Sequence, residues 1–360
     1  MIPVSKPWLG AREMIYTTQA INSGWVSSAG PFIEQFEADF ASYCGTKYAL
    51  AVSSGTAALH LALLASGIGP GDEVIIPDLT FIATANAVSY TGATPVFVDI
   101  DSKSLCLSAE TIRAHLTEKT KAIIPVHLFG HPADMDAING VAHSHGLKII
   151  EDACEAHGAS YKGTNAGALG DVGCFSFYGN KIITTGEGGM LTTDDPEIYA
   201  KAKHLRGHAQ TSKRYDHDQI GYNYRMTNVQ AAIGCAQLDR IDEILAARAR
   251  LHRMYSAAIP DRVMQPEPWA RSAHWMVSIQ TDYRDAIAEI LALNGVDTRP
   301  FFRPLSTLKP YRRNTLNWRS WRASQRGLCL PTHHEVTEAD VLRIAGVINT
   351  ALRDVDKSVA

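Results

Sequence analysis

The chain contains 360 residues, of which 46% are hydrophobic and 20% are charged, and its 34 basic and 37 acidic side chains give a formal net charge of −3. This composition supports a large buried core and argues against wholesale disorder, and the near-neutral charge argues against binding to nucleic acid or an anionic membrane. Residues 1–10 have neither the basic nor the apolar segment of a signal peptide, and the apolar runs are too short for a spanning helix. The six scattered cysteines indicate free thiols. We therefore expect a cytoplasmic protein without a membrane span.

Between residues 50 and 200, short apolar runs rich in Val and Ile alternate with helical stretches. This alternation predicts βαβ units around a mostly parallel sheet. Ser108 precedes one predicted helix as a cap, and Gly67 and Gly146 follow the ends of two others. The predicted strands are Glu73–Ile76, Pro95–Asp99, Ala122–Val126 and Lys148–Glu151, and the predicted helices are Thr56–Ser66, Phe81–Tyr90, Ser108–Leu116 and Ala133–His145.

The pattern changes after Gly221. Good helix formers, many of them alanine, dominate the stretch from Thr227 to about Arg253 and predict one long helix. Strand-like and helical segments alternate beyond it, and a helix near Glu338–Asp354 ends the series. We predict a large α/β domain over residues 1–245 and a smaller C-terminal α/β domain over residues 246–360.

The first segment with chemical interest is an apolar strand, a small polar turn and a helix over residues 51–59. Free N–H groups at the helix start, together with the Ser54 and Thr56 hydroxyls, would suit a phosphate dianion. The alternative is a simple helix cap that needs no ligand. Because the chain has neither a P-loop motif nor a dinucleotide-binding glycine motif, the sequence argues against an NTPase and a Rossmann dehydrogenase.

A second segment, over residues 149–158, is an apolar strand that ends in the two acids Glu151 and Asp152. Ligands bind at the carboxyl ends of strands in open α/β sheets, so either acid could face a ligand, for example a protonated ring nitrogen. The alternative is that Asp152 caps a helix.

The third segment places Lys181 in a loop rich in glycine and hydroxyl side chains, between predicted strands Asp171–Phe175 and Met190–Thr192. Desolvation lowers the pKa of a lysine amine and makes it nucleophilic. The alternative is an ordinary surface lysine before a turn.

Together, a phosphate site, an acid at a strand end and a lysine about 30 residues further on are the set of groups that pyridoxal phosphate (PLP) requires. On these motifs the sequence resembles the nucleotide-sugar aminotransferases of the DegT/StrS type, from Ser23 to Pro331. The resemblance implies the fold type I aminotransferase fold. In that fold a large domain has a mostly parallel, mixed sheet flanked by helices, and a smaller C-terminal α/β domain follows.

The resemblance also implies roles for individual residues. Lys181 would bind PLP as a Schiff base and move the proton between substrate and cofactor, and Asp152 would pair with the pyridine nitrogen. The position of Glu155 is often glutamine in this family and faces the 3′-oxygen of the cofactor, so a carboxylate there requires a proton on one partner. The phosphate would be bound by Gly55, Thr56, Ala57 and Ser176, the ring would stack on Phe81, and Asn223 would reach the phosphate of the neighbouring subunit in a homodimer with shared active sites.

The implied reaction is a transamination in which L-glutamate donates the amine to a keto-sugar nucleotide. The loop over residues 179–189 is similar to that of the GDP-perosamine synthases, which implies the C4 keto group of GDP-4-keto-6-deoxymannose and a role in O-antigen or other polysaccharide biosynthesis. Alternatives are a dTDP- or UDP-linked 4-keto or 3-keto sugar, and, on the same fold, a cysteine desulfurase or an amino-acid aminotransferase. A PLP-binding regulator without turnover is a further alternative.

Other candidate residues have simpler explanations. His143 and His145 lie two positions apart and do not share a helix face, so we predict no metal site there. His157 and Tyr178 flank the site in sequence and either contact substrate or serve packing. Four tryptophans are interpreted as core or subunit-interface aromatics, namely Trp269, Trp275, Trp318 and Trp321.

Overall fold

A computed structural model describes residues 1–313 and 316–359, with side chains up to residue 353. Within this part, the helices are α1 (Ala11–Asn22), α2 (Pro31–Cys44), α3 (Gly55–Ala65), α4 (Ala83–Tyr90), α5 (Ala109–Arg113), α6 (Met135–His145), α7 (Pro196–Arg206), α8 (Asn228–Leu238), α9 (Ile241–Ala258), α10 (Arg284–Leu293), α11 (Trp318–Arg326) and α12 (Glu338–Val359). The strands are β1 (Tyr48–Val52), β2 (Glu73–Pro77), β3 (Thr94–Val98), β4 (Thr120–Ile123), β5 (Lys148–Asp152), β6 (Ser160–Tyr161), β7 (Thr164–Asn165), β8 (Val172–Ser176), β9 (Gly189–Thr193), β10 (Ala270–Arg271), β11 (Val277–Gln280), β12 (Arg299–Pro300) and β13 (Gly327–Leu330).

A seven-stranded sheet forms the centre of the fold, with strand order β1-β9-β8-β5-β4-β2-β3. Six of its strands run in the same direction, and β9 runs antiparallel to both of its neighbours, β1 and β8. Apolar side chains of the buried strands point to both sides of the sheet. On each side they pack against helices in a separate hydrophobic cluster. This architecture confirms the predicted α/β class.

Helix termini follow the local sequence signals. Ser54 accepts the N–H of Ala57 at the start of α3, and Ser108 accepts the N–H of Thr111 at the start of α5. Asp195 caps α7, whose first residue is Pro196. The predicted caps at Ser108 and Gly146 are therefore confirmed, although α5 ends at Arg113 and α4 begins at Ala83, so both helices are shorter than predicted.

The long helix predicted from Thr227 to Arg253 is wrong, because the stretch forms two helices that are separated at Asp239 and Arg240. Arg240 leaves the helical conformation (φ −125°, ψ 18°), and its guanidinium stacks on the Trp8 ring, 4.5 Å from the ring centroid. The same side chain lies 3.8 Å from the Glu13 carboxylate. Contacts with the start of the chain thus stabilise the break, which local helix propensity does not reveal.

A three-stranded sheet of order β11-β13-β12 lies in the C-terminal part of the chain and has its own hydrophobic cluster with α9, α10 and α12. Helix α9 joins this cluster to that of the central sheet. Ile244 and Leu245, in its first half, pack in the central cluster, whereas Leu251 and Tyr255, in its second half, pack in the C-terminal one. The predicted boundary after residue 245 falls within this helix. No helix in the described part of the chain has both the length and the apolar character to cross a membrane.

Candidate active site

A cavity of about 340 Å³ lies at the carboxyl edge of the central sheet. The end of β5, the end of β8 and the turn between β1 and α3 all contribute to its wall, as expected for a ligand site in an open α/β sheet. Side chains from the C-terminal part of the chain close the other side. The lining residues are Ser54, Gly55, Thr56, Leu59, Thr80, Phe81, Ala83, Thr84, Val126, Asp152, Cys154, Glu155, Ser176, Tyr178, Asn180, Lys181, Glu187, Trp275, Arg299 and Phe302.

The start of helix α3 opens into this cavity. The first N–H groups of a helix have no partner within it, and here Ser54 accepts only the bond from Ala57, through its hydroxyl, and that from Ala58, through its carbonyl. The N–H groups of Gly55 and Thr56 therefore have no acceptor among the described residues. A side chain at Gly55 would come within 2.7 Å of Ser176 Cβ and of Cys154 Sγ, so only glycine fits this close approach. The arrangement suits an anion.

Asp152 ends β5 with its carboxylate inside the cavity, and only 6% of the residue is exposed. Thr84 Oγ1 donates to one carboxylate oxygen at 2.7 Å, and the N–H of Cys154 donates to the other at 3.2 Å. No helix begins at Asp152, so the interpretation as a helix cap is wrong. The neighbouring Glu151 instead serves the framework, since it accepts three backbone N–H bonds and contacts His127.

Lys181 follows a turn after β8, in which its N–H donates to the carbonyl of Tyr178 at 2.9 Å. Its side chain is 13% exposed, and its Nζ lies 3.7 Å from Glu155 Oε1. The lysine therefore faces the cavity, and the interpretation as an ordinary surface lysine is wrong.

Glu155 is buried beside this amine. Its Oε2 accepts the N–H of Phe129 at 2.9 Å. Burial raises the pKa of the Glu155 carboxyl to about 7, and the nearby Lys181 ammonium and the Phe129 N–H limit the rise. Near neutral pH the Glu155 carboxyl can therefore carry a proton. A protonated carboxyl group would not repel the 3′-oxygen that the family resemblance places opposite this position.

The raised pKa of Glu155 predicts a pH-dependent stability. Between pH 4.5 and about 7, the folded chain keeps a proton that the unfolded chain loses, so the free energy of unfolding falls as the pH rises through this window. Glu155→Gln cannot lose that proton. We expect thermal melting of the cofactor-free chain to show the wild type losing stability relative to Glu155→Gln as the pH rises across this window. A difference in Tm that is constant with pH would contradict the assignment.

Of the other predicted site residues, the structure brings some to the cavity and leaves others outside it. Ser176, Phe81 and Tyr178 line the cavity, and the Phe81 ring is 56% exposed. Ala57 does not line the cavity, and its N–H already donates to Ser54 Oγ, so it is not free to bind a phosphate. Asn223 is exposed and outside the cavity of its own chain, where its side chain accepts bonds from Arg225.

His157 does not reach the cavity. It is fully buried between the rings of Phe175 and Phe177, at centroid distances of 5.4 and 5.5 Å. Burial lowers the pKa of this histidine to about 3, so the ring is neutral at physiological pH. Of the two alternatives for His157, packing is the one that the structure supports.

Sequence reasoning missed several residues of the site. Thr84 lies within α4, where a threonine gives no local signal. The sequence predicts a core or interface aromatic at Trp275, and the residue is buried, but its ring also forms part of the cavity wall. Arg299 and Phe302 reach the cavity from the C-terminal part of the chain, and only the tertiary fold brings them there.

The cavity fits PLP by its own chemistry. A buried carboxylate suits a protonated ring nitrogen, a lysine amine suits an aldehyde, and two free N–H groups at a helix start suit a phosphate. All three sets of groups face one cavity.

Comparison with known proteins agrees with this assignment of groups. The model of the DegT/DnrJ/EryC1/StrS aminotransferase family matches residues 7–349. The GDP-perosamine synthase of Caulobacter vibrioides is 47% identical over 366 aligned positions, which cover 98% of each chain. The solved structure of DesV from S. venezuelae is 34% identical with a TM-score of 0.91, covering 96% of this chain and 98% of that one. The structure of TlmJ from Streptoalloteichus hindustanus is 32% identical with a TM-score of 0.95, covering 99% and 100%.

Proposed function

The chain belongs to the DegT/DnrJ/EryC1/StrS aminotransferase family, and from this premise we propose that it transfers an amino group from L-glutamate to the C4 keto group of GDP-4-keto-6-deoxymannose. It is a PLP-dependent aminotransferase that acts on a nucleotide-linked sugar. The observation that carries the proposal is the single cavity that contains both the Asp152 carboxylate and the Lys181 amine. The choice of a GDP-linked sugar is supported by the near full-length similarity to GDP-perosamine synthases.

The residues around the cavity divide the work between binding and proton movement. When bound, PLP supplies an electron sink next to the carbon that exchanges its proton. Asp152, held by Thr84, would keep the ring nitrogen protonated, and the N–H groups of Gly55 and Thr56 with the Ser176 hydroxyl would bind the phosphate. Lys181 Nζ would hold the cofactor and, once released, take and return the proton.

We assign Phe81 to the face of the cofactor ring and Glu155 to its 3′-oxygen. Phe81 is an exposed aromatic on the cavity wall, where a planar ligand would cover it. Glu155 has a pKa of about 7, so it can donate a hydrogen bond at neutral pH. Residues 1–245 and 246–360 remain the proposed division into domains.

The proposed homodimer rests on the surroundings of Asn223. This side chain is exposed and lies outside its own cavity, as expected if it serves the site of a neighbour. Exposed apolar side chains occur on α1 and in the turn after it, including Ile21, Trp25 and Val26. The carbonyl of Trp25 accepts a bond from Asn228, which places this apolar surface beside the start of α8, a few residues after Asn223 in the chain.

A subunit-mixing experiment tests the shared site. We expect Lys181→Ala to inactivate both sites of its own homodimer and Asn223→Ala to do the same at limiting PLP by weakening the binding of the phosphate, but a mixed dimer has one site with both native residues. We expect activity to return to about a quarter of the wild-type rate when equal amounts of the two variants are refolded together, because half of the dimers are then mixed and each has one intact site. Lack of recovery in mixed dimers that bind PLP would contradict the assignment of Asn223.

The substrate is tested by incubating the protein with PLP, glutamate labelled at its amine and a set of GDP-, dTDP- and UDP-linked keto sugars, with products identified by mass. We expect the label in an aminated GDP-sugar. Amination of a dTDP- or UDP-sugar alone would overturn the proposed substrate and leave the reaction class in place. Bound PLP without label transfer to any sugar would favour the alternative of a regulator.

A further inference from the structure

We propose that Trp275 is a positioning residue for Lys181, holding both its amine and the backbone that precedes it. The inference rests on the proposed function only in assigning Lys181 as the reactive amine. Trp275 lies at the edge of the C-terminal sheet, two residues before β11, and not in the glycine-rich loop that contains the lysine.

Two contacts connect Trp275 to this loop. The Lys181 ammonium lies over the indole face, 4.2 Å from the ring centroid. The indole Nε1–H donates to the backbone carbonyl of Asn180, the residue directly before Lys181, at 2.8 Å. One side chain therefore limits both the position of the amine and the direction in which the lysine leaves the backbone.

Trp275 is itself firmly held. Only 3% of the residue is exposed, and its backbone N–H donates to the carbonyl of Phe129 at 3.1 Å. The N–H of Phe129 donates in turn to Glu155, the carboxyl group that faces the same lysine amine. Lys181 thus lies between an indole face and a carboxyl group that are joined through one residue, Phe129.

In the proposed function, Lys181 is alternately attached to the cofactor and free, and the indole would confine its side chain in the free state. A free lysine side chain has many rotamers, and confining it costs conformational entropy. An aromatic face attracts a cation most strongly where water is excluded, as it is at this buried ring. The indole therefore keeps the released side chain inside the cavity while it is protonated, so that its proton can be returned to the substrate.

The test measures the reactivity of Lys181 in the cofactor-free full chain with a small amine-acylating reagent, read by peptide mass spectrometry against the exposed Lys119 as internal reference. Trp275→Leu removes the ring face and the N–H donor, so we expect acylation of Lys181 to rise about tenfold. Trp275→Phe keeps an aromatic ring and loses only the donor, and we expect a smaller rise. Trp269→Phe is the matched control, because that indole is outside the cavity wall and its Nε1 has no partner among the described residues.

Turnover gives a second measurement. We expect Trp275→Leu to lower kcat about tenfold while KM for glutamate stays within about threefold, since the residue acts on the lysine and not on donor binding. If Trp275→Leu does not fold, as judged by circular dichroism, acylation of Lys181 is measured in Trp275→Phe and Ser5→Ala instead. Ser5 Oγ also donates to the Asn180 carbonyl, at 3.2 Å, and its loss leaves the ring face in place.

The inference is overturned if Lys181 is acylated equally fast in Trp275→Phe, Trp275→Leu and Trp269→Phe. Its failure can be told apart from failure of the proposed function, which is tested by borohydride reduction of the wild type with PLP. Attachment of PLP to a lysine other than 181 would overturn the function, whereas the acylation experiment would still measure whether Trp275 controls Lys181.

Discussion

Lys181→Ala is expected to lower the rate of amine transfer by at least about 10³-fold, the largest effect of any single change in the chain. The variant loses the nucleophile that holds PLP, and it also loses the group that moves the proton, a step that alone contributes roughly 10²–10⁴-fold in enzymes. Single-turnover kinetics with glutamate measures the loss. Borohydride reduction should attach PLP to residue 181 in the wild type and leave the variant unlabelled at that position.

Lys162→Ala provides the matched control, because Lys162 is an exposed lysine whose ammonium pairs with Asp136 at the surface. We expect wild-type activity from this control within about twofold. Retention of more than a tenth of the wild-type rate in Lys181→Ala would contradict the assigned role, and so would persistent reduction-stable attachment of PLP at another site.

Asp152→Asn is expected to cost about 10²–10⁴-fold in kcat. The carboxylate is buried on the cavity wall, and removing one partner of a buried ion pair costs about 3–5 kcal/mol. Asparagine has nearly the same shape but carries no charge, so it cannot keep a ring nitrogen protonated. The visible spectrum of bound PLP should change along with kcat, whereas the melting temperature of the cofactor-free chain should change little.

Thr84→Val separates the charge of Asp152 from its orientation. This variant removes the donor 2.7 Å from the Asp152 carboxylate and leaves the charge in place. We expect a loss of at least about tenfold, since a hydrogen bond to a charged group is worth about 1.5–3 kcal/mol. If Asp152→Asn retained activity within tenfold of the wild type, or if Thr84→Val were equally harmful, the proposed pairing with the ring nitrogen would be wrong.

The sequence was a good guide to the sheet and to the groups at its carboxyl edge. Apolar runs such as Ala122–Val126 predict strands because burial on both faces requires apolar side chains along the whole length. The topology of parallel strands then brings Asp152 and Ser176 to one edge, so their meeting follows from connectivity alone. The turn before α3 opens at the same edge for the same reason.

What the sequence did not reveal depends on contacts between distant parts of the chain. Nothing local distinguishes Trp275 from the three other tryptophans considered with it, and only its position beside Asn180 makes it part of the site. The break between α8 and α9 has a similar origin, since Arg240 is a good helix former whose guanidinium stacks on Trp8. In both cases tertiary contacts override a local preference.

Helix α9 also limits how a bulky nucleotide-linked sugar can enter. A hinge needs residues that change their backbone dihedral angles freely, but the 18 residues of α9 are held by consecutive helical hydrogen bonds and packed into a separate core at each half. At this connection the two cores therefore turn together as one rigid piece. A hinge within α9 is therefore not available to open the cavity, and the exposed side chains on its wall, Phe81 and Tyr178, are the ones that an entering sugar meets.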